Sequence, residues 1–393
     1  MSSTDTALGD IIKPAVLRRA GSEELPILSM TMRDGLVDQA DKFKKRVASA
    51  DTSAYRVVDR DQLVVGFPID EGVLSFQALY DSAIVSPAYE IWDLIDPDSV
   101  SRDFLERFLR SPRALKYYAA KLQGSTARRR SLPRDVFLAL PVPLPPLAEQ
   151  KRIAAVLDQV DALRAKRREA IALLDDLGQS IFLDMFGDPV VNSKDWPVRK
   201  LGNMGTLDRG VSKHRPRNDP ALLGGEFPLI QTGDVAGSGG YITRFTSTYS
   251  DIGLNQSRLW PAGTLCITIA ANIAKTGILT FDACFPDSVV GFTASPAKIE
   301  YIRAWLSFLQ EALEASAPES AQKNINLAVL RNLEIPYPGE DLIRVFSERV
   351  KAIEAFKGTH RTHLATLDEL FNSLQHRAFS GNLCDHDATG EAA

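Results

Sequence analysis

Apolar residues recur every seven positions in two stretches of the chain. From about Leu147 to Phe186, Ile153, Val160, Leu174 and Ile181 fall on one heptad position, with Leu163 and Leu177 among the apolar residues between them. From about Asp341 to Phe379, Phe346, Ile353, Leu367 and Leu374 do the same, supported by Val350, Phe356, Leu364 and Leu370. A 3.5-residue repeat sustained this long predicts coiled-coil helices in place of ordinary amphipathic ones. The two sets superpose at a constant offset of 193: 153 with 346, 160 with 353, 174 with 367, and 181 with 374. The offset also pairs the exceptions, Arg167 and His360, at the centre of each seam. A polar seam residue can fix register and partner at some cost in stability; the other reading is two long side chains reaching out of an imperfect seam. Leu147, Leu157, Leu173 and Phe182 lie off the seam and suggest a further apolar face for a partner.

Between these stretches the pattern changes to short β-type runs bounded by Gly, Asp, Asn and Ser. ELPILSM, AYRVV, QLVVGF and AIVSPAYEIW read as strands in the first part, and FPLIQT, GTLCITIA, GILTF and SVVGFTA in the second. FLERFL at 104–109 resembles YIRAWL at 301–306. Each long helix follows a proline-rich stretch, SLPRDVFLALPVPLPPL or NLAVLRNLEIPYPGEDL, read as an extended lead-in because proline breaks ladders and helices. Phe186-Gly187-Asp188-Pro189 supplies a stop for the first helix. The expected organisation is α+β: a globular domain at 1–143, a helix at 144–187, a second domain at 188–336, a second helix at 337–383 and a disordered tail at 384–393. The two helices are expected to pair as an antiparallel coiled coil.

Composition narrows the function by exclusion. The 393 residues carry a net charge of −4, which argues against an indiscriminate polyanion binder. That charge is unevenly spread. Residues 1–143 hold 20 basic and 20 acidic side chains, and 188–336 hold 14 and 14, so the helices and tail carry the deficit. No apolar run is long enough to span a membrane and the N-terminal stretch does not resemble a secretory signal, so a cytoplasmic protein is expected. Cys266, Cys284 and Cys384 fit neither a disulfide framework nor a zinc pattern. Phosphate-binding loops, HExxH and GxSxG are missing. GSGG at 237–240 reads as a turn, and His360 with His363 as a solvated helix face. Catalytic, cofactor-binding and metal-ligating residues are therefore expected to be absent.

Local charge points instead to nucleic acid. From Arg107 to Arg134 there are nine cations and no acid, including Arg113, Lys116 and the triplet Arg128, Arg129 and Arg130 in a Gly-Ser-Thr loop. Such side chains can reach phosphates or the O6/N7 edge of guanine. A second patch is Arg209, Lys213, His214, Arg215 and Arg217. The loop that corresponds to the arginine triplet is SAQKNIN at 320–326. There Lys323 suits a phosphate, and Gln322 and Asn324 suit the amide contact to adenine. Matching loops with different side chains are what reading two different short sequences requires. A DNA-independent coiled-coil scaffold would have no use for the basic run, and a standalone methyltransferase would need a cofactor domain for which no residues remain.

The run PLPPLAEQKRIAAVLDQVDAL at 143–163, FGDP at 186–189 and the YRVV…VVG…AIVSPAYEIW series closely resemble the specificity (S) subunit of type I restriction–modification systems. The resemblance covers essentially the whole chain and is weaker where the second helix begins, PYPGEDLIRVFSE. It implies two target recognition domains, each reading half of a bipartite double-stranded DNA site. It further implies a helical spacer that binds two methyltransferase (modification) subunits, joined by restriction/translocase subunits. S-adenosylmethionine, ATP and Mg would then belong to those partners.

Overall fold

The computed structural model describes residues 5–42, 51–122, 132–214, 216–269, 274–315 and 326–380. Arg128, Arg129, Arg130, Arg215, Gln322, Lys323, Asn324, Cys384 and the 384–393 tail lie outside the described residues. The chain divides into two compact units, Met1–Arg167 with His363–Ala393, and Arg168–Thr362. Each unit thus holds one globular domain and one half of each long helix, Leu147–Phe186 and Glu340–Phe379.

In the first unit β1 (Asp5–Ala7) precedes a sheet of β2 (Ile12–Pro14), β3 (Leu63–Val65), β4 (Leu74–Phe76) and β5 (Glu90–Leu94). The spatial order is β2-β5-β3-β4, all antiparallel, with Trp92 opposite both Pro14 and Leu63. AYRVV forms Arg56–Asp59, and AIVSPAYEIW splits into Ser82–Val85 and β5 around the Ser86–Tyr89 turn. The proline-rich lead-in corrects the sequence reading of a merely extended stretch, because it holds a short helix at Arg134–Leu138 and then a true strand. β6 (Pro141–Pro143) pairs with β1, with Ala7 opposite Pro141 and Asp5 opposite Pro143. Among the described residues β6 has a single neighbour, so its prolines can take the alternate positions whose nitrogens face away from the ladder.

Two helices cover this sheet. α1 (Arg102–Leu109) is capped by Ser101, whose hydroxyl accepts from the Phe104 N–H; Ser111 likewise caps α2 (Pro112–Lys121), with Pro112 in the first turn. Phe104, Leu105, Phe108 and Leu109 recur at helical spacing and are all buried. They form one core with Ile153, Leu157 and Val160 from the first long helix and Phe371, Ala378 and Phe379 from the second.

The second unit repeats this plan. β7 (Val198–Lys200), β8 (Thr206–Arg209), β9 (Leu265–Thr268), β10 (Thr276–Leu279) and β11 (Val289–Thr293) lead to β12 (Glu334–Pro336). The sheet order β8-β11-β9-β10 matches β2-β5-β3-β4, with Tyr241–Ile242 added at its edge, and β7 pairs with β12 as β1 does with β6. The strand Leu223–Leu229 lies within a further sheet; in the first unit the hairpin Leu28–Thr31 with Gly35–Asp38, bridged in parallel from Ile27 to Ile84 of the Ser82–Val85 strand, takes the same arrangement. α4 (Pro296–Ala315), numbered after α3 (Arg134–Leu138) of the first unit, packs Tyr301, Ile302 and Trp305 against Phe182, Phe186, Phe346 and Val350 of the long helices. Phe379 meets Phe104 edge-on at 5.6 Å in one unit, and Phe186 meets Tyr301 edge-on at 4.9 Å in the other. The 193 offset relates Phe186 to Phe379.

Within each unit the helix halves run antiparallel: Arg164 meets Asp368 in the first, and Lys357 meets Asp175 in the second. Ile153, Val160, Phe346 and Ile353 are buried in the seam, while Arg167, Leu174, Ile181, His360, Leu367 and Leu374 are half-buried. The second seam position differs in part from the sequence reading. In the first helix Leu157, Arg164, Ile171, Gly178 and Met185 hold it, whereas Leu163 and Leu177 remain 46% and 45% exposed; in the second, Val350 and Leu364 hold it as read, whereas Phe356 and Leu370 are 64% and 44% exposed. Conversely, Leu157 and Phe182, read as an apolar face for a partner, are buried by the chain's own domains. A heptad leaves the choice between adjacent positions open, and the packing of the globular domains makes it.

Candidate nucleic-acid interface

The basic run separates into two kinds of residue once its partners are known. Arg107 on α1 donates to Asp158 (Nε 3.0 Å, Nη2 2.6 Å) and to Asp161 (Nη1 2.8 Å) on the first long helix. Arg110 donates to Glu106 and to the carbonyls of Met32 and Arg33. Arg113 donates to the Phe379 carbonyl at 2.6 Å and to Asp5 at 2.8 Å. These three guanidinia tie the α1–α2 hairpin to the rest of its unit. Lys116 is exposed, Lys121 lies 5.0 Å from the Tyr117 ring, and Arg134 pairs with Glu90 at 3.0 Å.

Burial by itself would raise the Asp161 carboxyl, but the hydrogen bond from Arg107 and the charges of Arg107 and Arg164 outweigh it and hold the group below the usual carboxylate range. Asp161 accepts from Arg164 at 2.7 Å, and Arg164 crosses to Asp368 at 2.6 Å. The 193 offset carries this trio onto Glu354, Lys357 and Asp175, where Lys357 donates to both carboxylates at 2.6 Å. Sequence reading missed both trios. Their signal was an acid three residues before a base on each helix, repeated at the offset already seen in the seam.

The second patch gathers at the end of β8. Arg209 donates to the Asp287 carbonyl at 2.9 Å, and Arg217 pairs with the Asp287 carboxylate at 2.5 Å. Gln256 holds the loop by accepting from the Lys213 N–H at 2.7 Å and the His214 N–H at 3.0 Å. The His214 ring meets Asp219 at 3.0 Å; the Ala221 N–H and then His214 keep that carboxyl below its ordinary value. Arg209, Lys213 and Arg217 remain exposed. A cavity of about 290 Å³ opens beside them, lined by Ser212, Arg217, Asn218, Gln231 and Ser288 among others. Cys266 and Cys284 are buried thiols, and burial pushes the Cys266 thiol far above its ordinary value. No helix among the described residues is long and apolar enough to cross a membrane.

The model of the type I restriction modification DNA specificity domain matches residues 87–173 and 193–342, more than half of the chain. The chain belongs to that family. It is a type I specificity subunit with two specificity domains. Among its relatives, a Methanocaldococcus jannaschii protein provisionally assigned as the type I restriction enzyme MjaX specificity subunit is 20% identical over 294 residues, covering 71% of this chain and 67% of the relative. The type I restriction enzyme EcoBI specificity subunit of Escherichia coli is 24% identical over 281 residues, covering 62% and 58%. The fold resembles a structure from work on complex assembly and conformational transition of the type I system (TM-score 0.57, 16% identity, 96% of this chain and 98% of that one). It also resembles the crystal structure of the S subunit from M. genitalium (TM-score 0.57, 14% identity, 96% of each chain). Both specificity domains carry the same sheet order, and their cationic loops differ in residue chemistry.

Proposed function

We propose that this specificity subunit reads a bipartite, asymmetric double-stranded DNA site, one half by each globular domain, within a cytoplasmic type I complex. The observation that carries the reading is the repetition of one sheet order in two domains whose sequences carry dissimilar cationic stretches. A scaffold duplicated for structural reasons alone has no need for that divergence, whereas two half-sites of different sequence require it.

The long helices hold the two readers and dock two modification subunits. Leu163 and Phe356 are equivalent by the 193 offset, as are Leu177 and Leu370, and all four expose apolar surface away from the seam. Two equivalent apolar stripes suit two copies of one partner. Restriction/translocase subunits join this core. The chain contributes no catalytic group of its own; S-adenosylmethionine, ATP and Mg belong to the partners.

Whole-genome detection of methylated adenine, in host cells with and without this gene, tests the reading. A bipartite motif that vanishes with the gene is expected. An identical methylome in both strains would overturn it.

A further inference from the structure

The two domains present topologically equivalent segments that the sequence did not pair. β2 and β3 both run antiparallel to β5, so their C-terminal ends emerge at the sheet end where β5 begins. β8, β9 and β11 repeat this arrangement. The first residue beyond the edge strand makes the same hydrogen bond in each domain: Ala15 N–H to the Ile91 carbonyl at 3.0 Å, and Gly210 N–H to the Val289 carbonyl at 2.9 Å. The segment Ala15–Arg19 is therefore the counterpart of the loop that begins at Gly210.

Both segments are cationic and free of acid. Ile11 to Gly21 contains Lys13, Arg18 and Arg19, and Arg209 to Asn218 contains Arg209, Lys213, Arg215 and Arg217. Both are also pinned at the backbone. Arg18 and Tyr55 carbonyls accept from Val57 and Ala20 N–H groups at 2.8 and 2.9 Å, and Gln256 holds Lys213 and His214. On that fixed backbone Val16 is 91% and Leu17 63% exposed, and Phe67, beyond the end of β3, is 55% exposed. Fixed apolar side chains in water beside guanidinia serve no packing purpose; they suit a partner with phosphates flanking apolar base edges.

We propose that these strand-end segments, Ala15–Arg19 in the first domain and Gly210–His214 with Arg217 and Asn218 in the second, are the sequence-determining DNA contacts of the two domains. In the first, Val16 and Leu17 meet base edges, the thymine methyl among them, while Arg19 holds the adjoining phosphate and Arg18 is tied to Asp59 at 3.2 Å. In the second, Lys213 holds a phosphate, Arg217 stays tied to Asp287, and Asn218, which lines the cavity, reads base edges. This assignment rests on the DNA-reading function proposed above.

The test selects bound duplexes from a pool with randomised 30-base-pair cores, using the full chain assembled with its modification subunits. Two variants are compared with the unaltered protein, L17S/R19A and K213A/N218A, all at exposed positions, with thermal melting to verify the fold. A third, R19K, keeps the phosphate contact. We expect L17S/R19A to lose about 10-fold in affinity and to enrich a motif degenerate in one half only. K213A/N218A should degrade the other half, and R19K should enrich the original motif. If both double variants enrich the unaltered bipartite motif, the segments are not the readers although the DNA-reading function stands. If the unaltered protein enriches no motif, the function itself falls and the assignment with it.

Discussion

Arg164 and Lys357 stand 193 residues apart, and each reaches across the helix pair to an aspartate at 2.6 Å while binding an acid three residues earlier on its own helix. The Arg164 side chain is 18% exposed and that of Lys357 only 3%. An antiparallel seam of aliphatic residues tolerates a slip of one heptad, but a slip here would separate two partly buried ion pairs at once. Discrimination between registers therefore rests on these charges more than on the apolar contacts.

Removing either base should consequently cost stability. We expect Lys357→Ala to destabilise by about 3 kcal/mol, since Glu354 and Asp175 lose their common cation. Arg164→Ala should cost less, about 1–2 kcal/mol, because Asp161 keeps Arg107 and is more open to water than Glu354, 35% against 19% exposed. A double-mutant cycle of Arg164→Ala with Asp368→Ala, read by denaturant unfolding, should give a coupling of roughly 1 kcal/mol. Strict additivity would show that the pair does not cooperate.

Acid should loosen the first unit through Asp161. Its folded value lies below the ordinary 3.8, so its contribution is complete above that value and is lost as pH falls through the depressed one. Asp161→Asn should remove this pH dependence while lowering stability at neutral pH. Unfolding midpoints measured between about pH 2 and 5 check the sign; a variant whose acid sensitivity matched the parent would contradict it.

Arg113 and the Arg128–Arg130 triplet should behave differently although they share one basic run. Arg113→Ala is expected to lower the melting temperature, because the guanidinium holds Asp5 and the end of the second long helix. It should leave the salt dependence of DNA binding unchanged. Replacing Arg128, Arg129 and Arg130 by alanine should flatten that dependence by about 0.9 in log–log slope for each phosphate no longer neutralised. Equal slopes for the triple variant and the parent would remove the triplet from the DNA interface.

The outward stripes give a stoichiometric test. Leu163→Glu with Leu177→Glu should release one modification subunit, and Phe356→Glu with Leu370→Glu the other, each leaving a smaller complex by light scattering. A fully assembled complex from both double variants would place the partners elsewhere. The subunit alone should bind a dye for exposed apolar surface.

Lengthening both long helices by a heptad, after Arg167 and after His360, keeps seam positions in phase and adds roughly 10 Å to each. The insertions fall near Arg167/Arg168 and Thr362/His363, where the chain passes between its compact units. At about 3.4 Å per base pair, the unread gap of the site should widen by about three base pairs with both half-sites unchanged. Methylome sequencing that returned the original gap would mean that the helices do not measure it.

The heptads, their 193 offset and the short β runs were legible in the sequence because each is a local periodicity, set by how side chains project from a helix or strand. QLVVGF, GTLCITIA and SVVGFTA became the sheet strands that their patterns predict. What lay beyond the sequence was every choice between neighbours that only a distant partner makes. Leu157 and Leu163 are equally apolar, yet α1 and the second long helix bury one and leave the other in water. Arg107 and Arg113 look as free as any cation in the run until Asp158, Asp161 and Asp5 arrive from other elements. The equivalence of Ala15–Arg19 with the Gly210 loop has no trace in residue identity. It exists because two sheets share a strand order, and strand order is fixed by hydrogen-bond pairing across the chain, where side-chain periodicity carries no information.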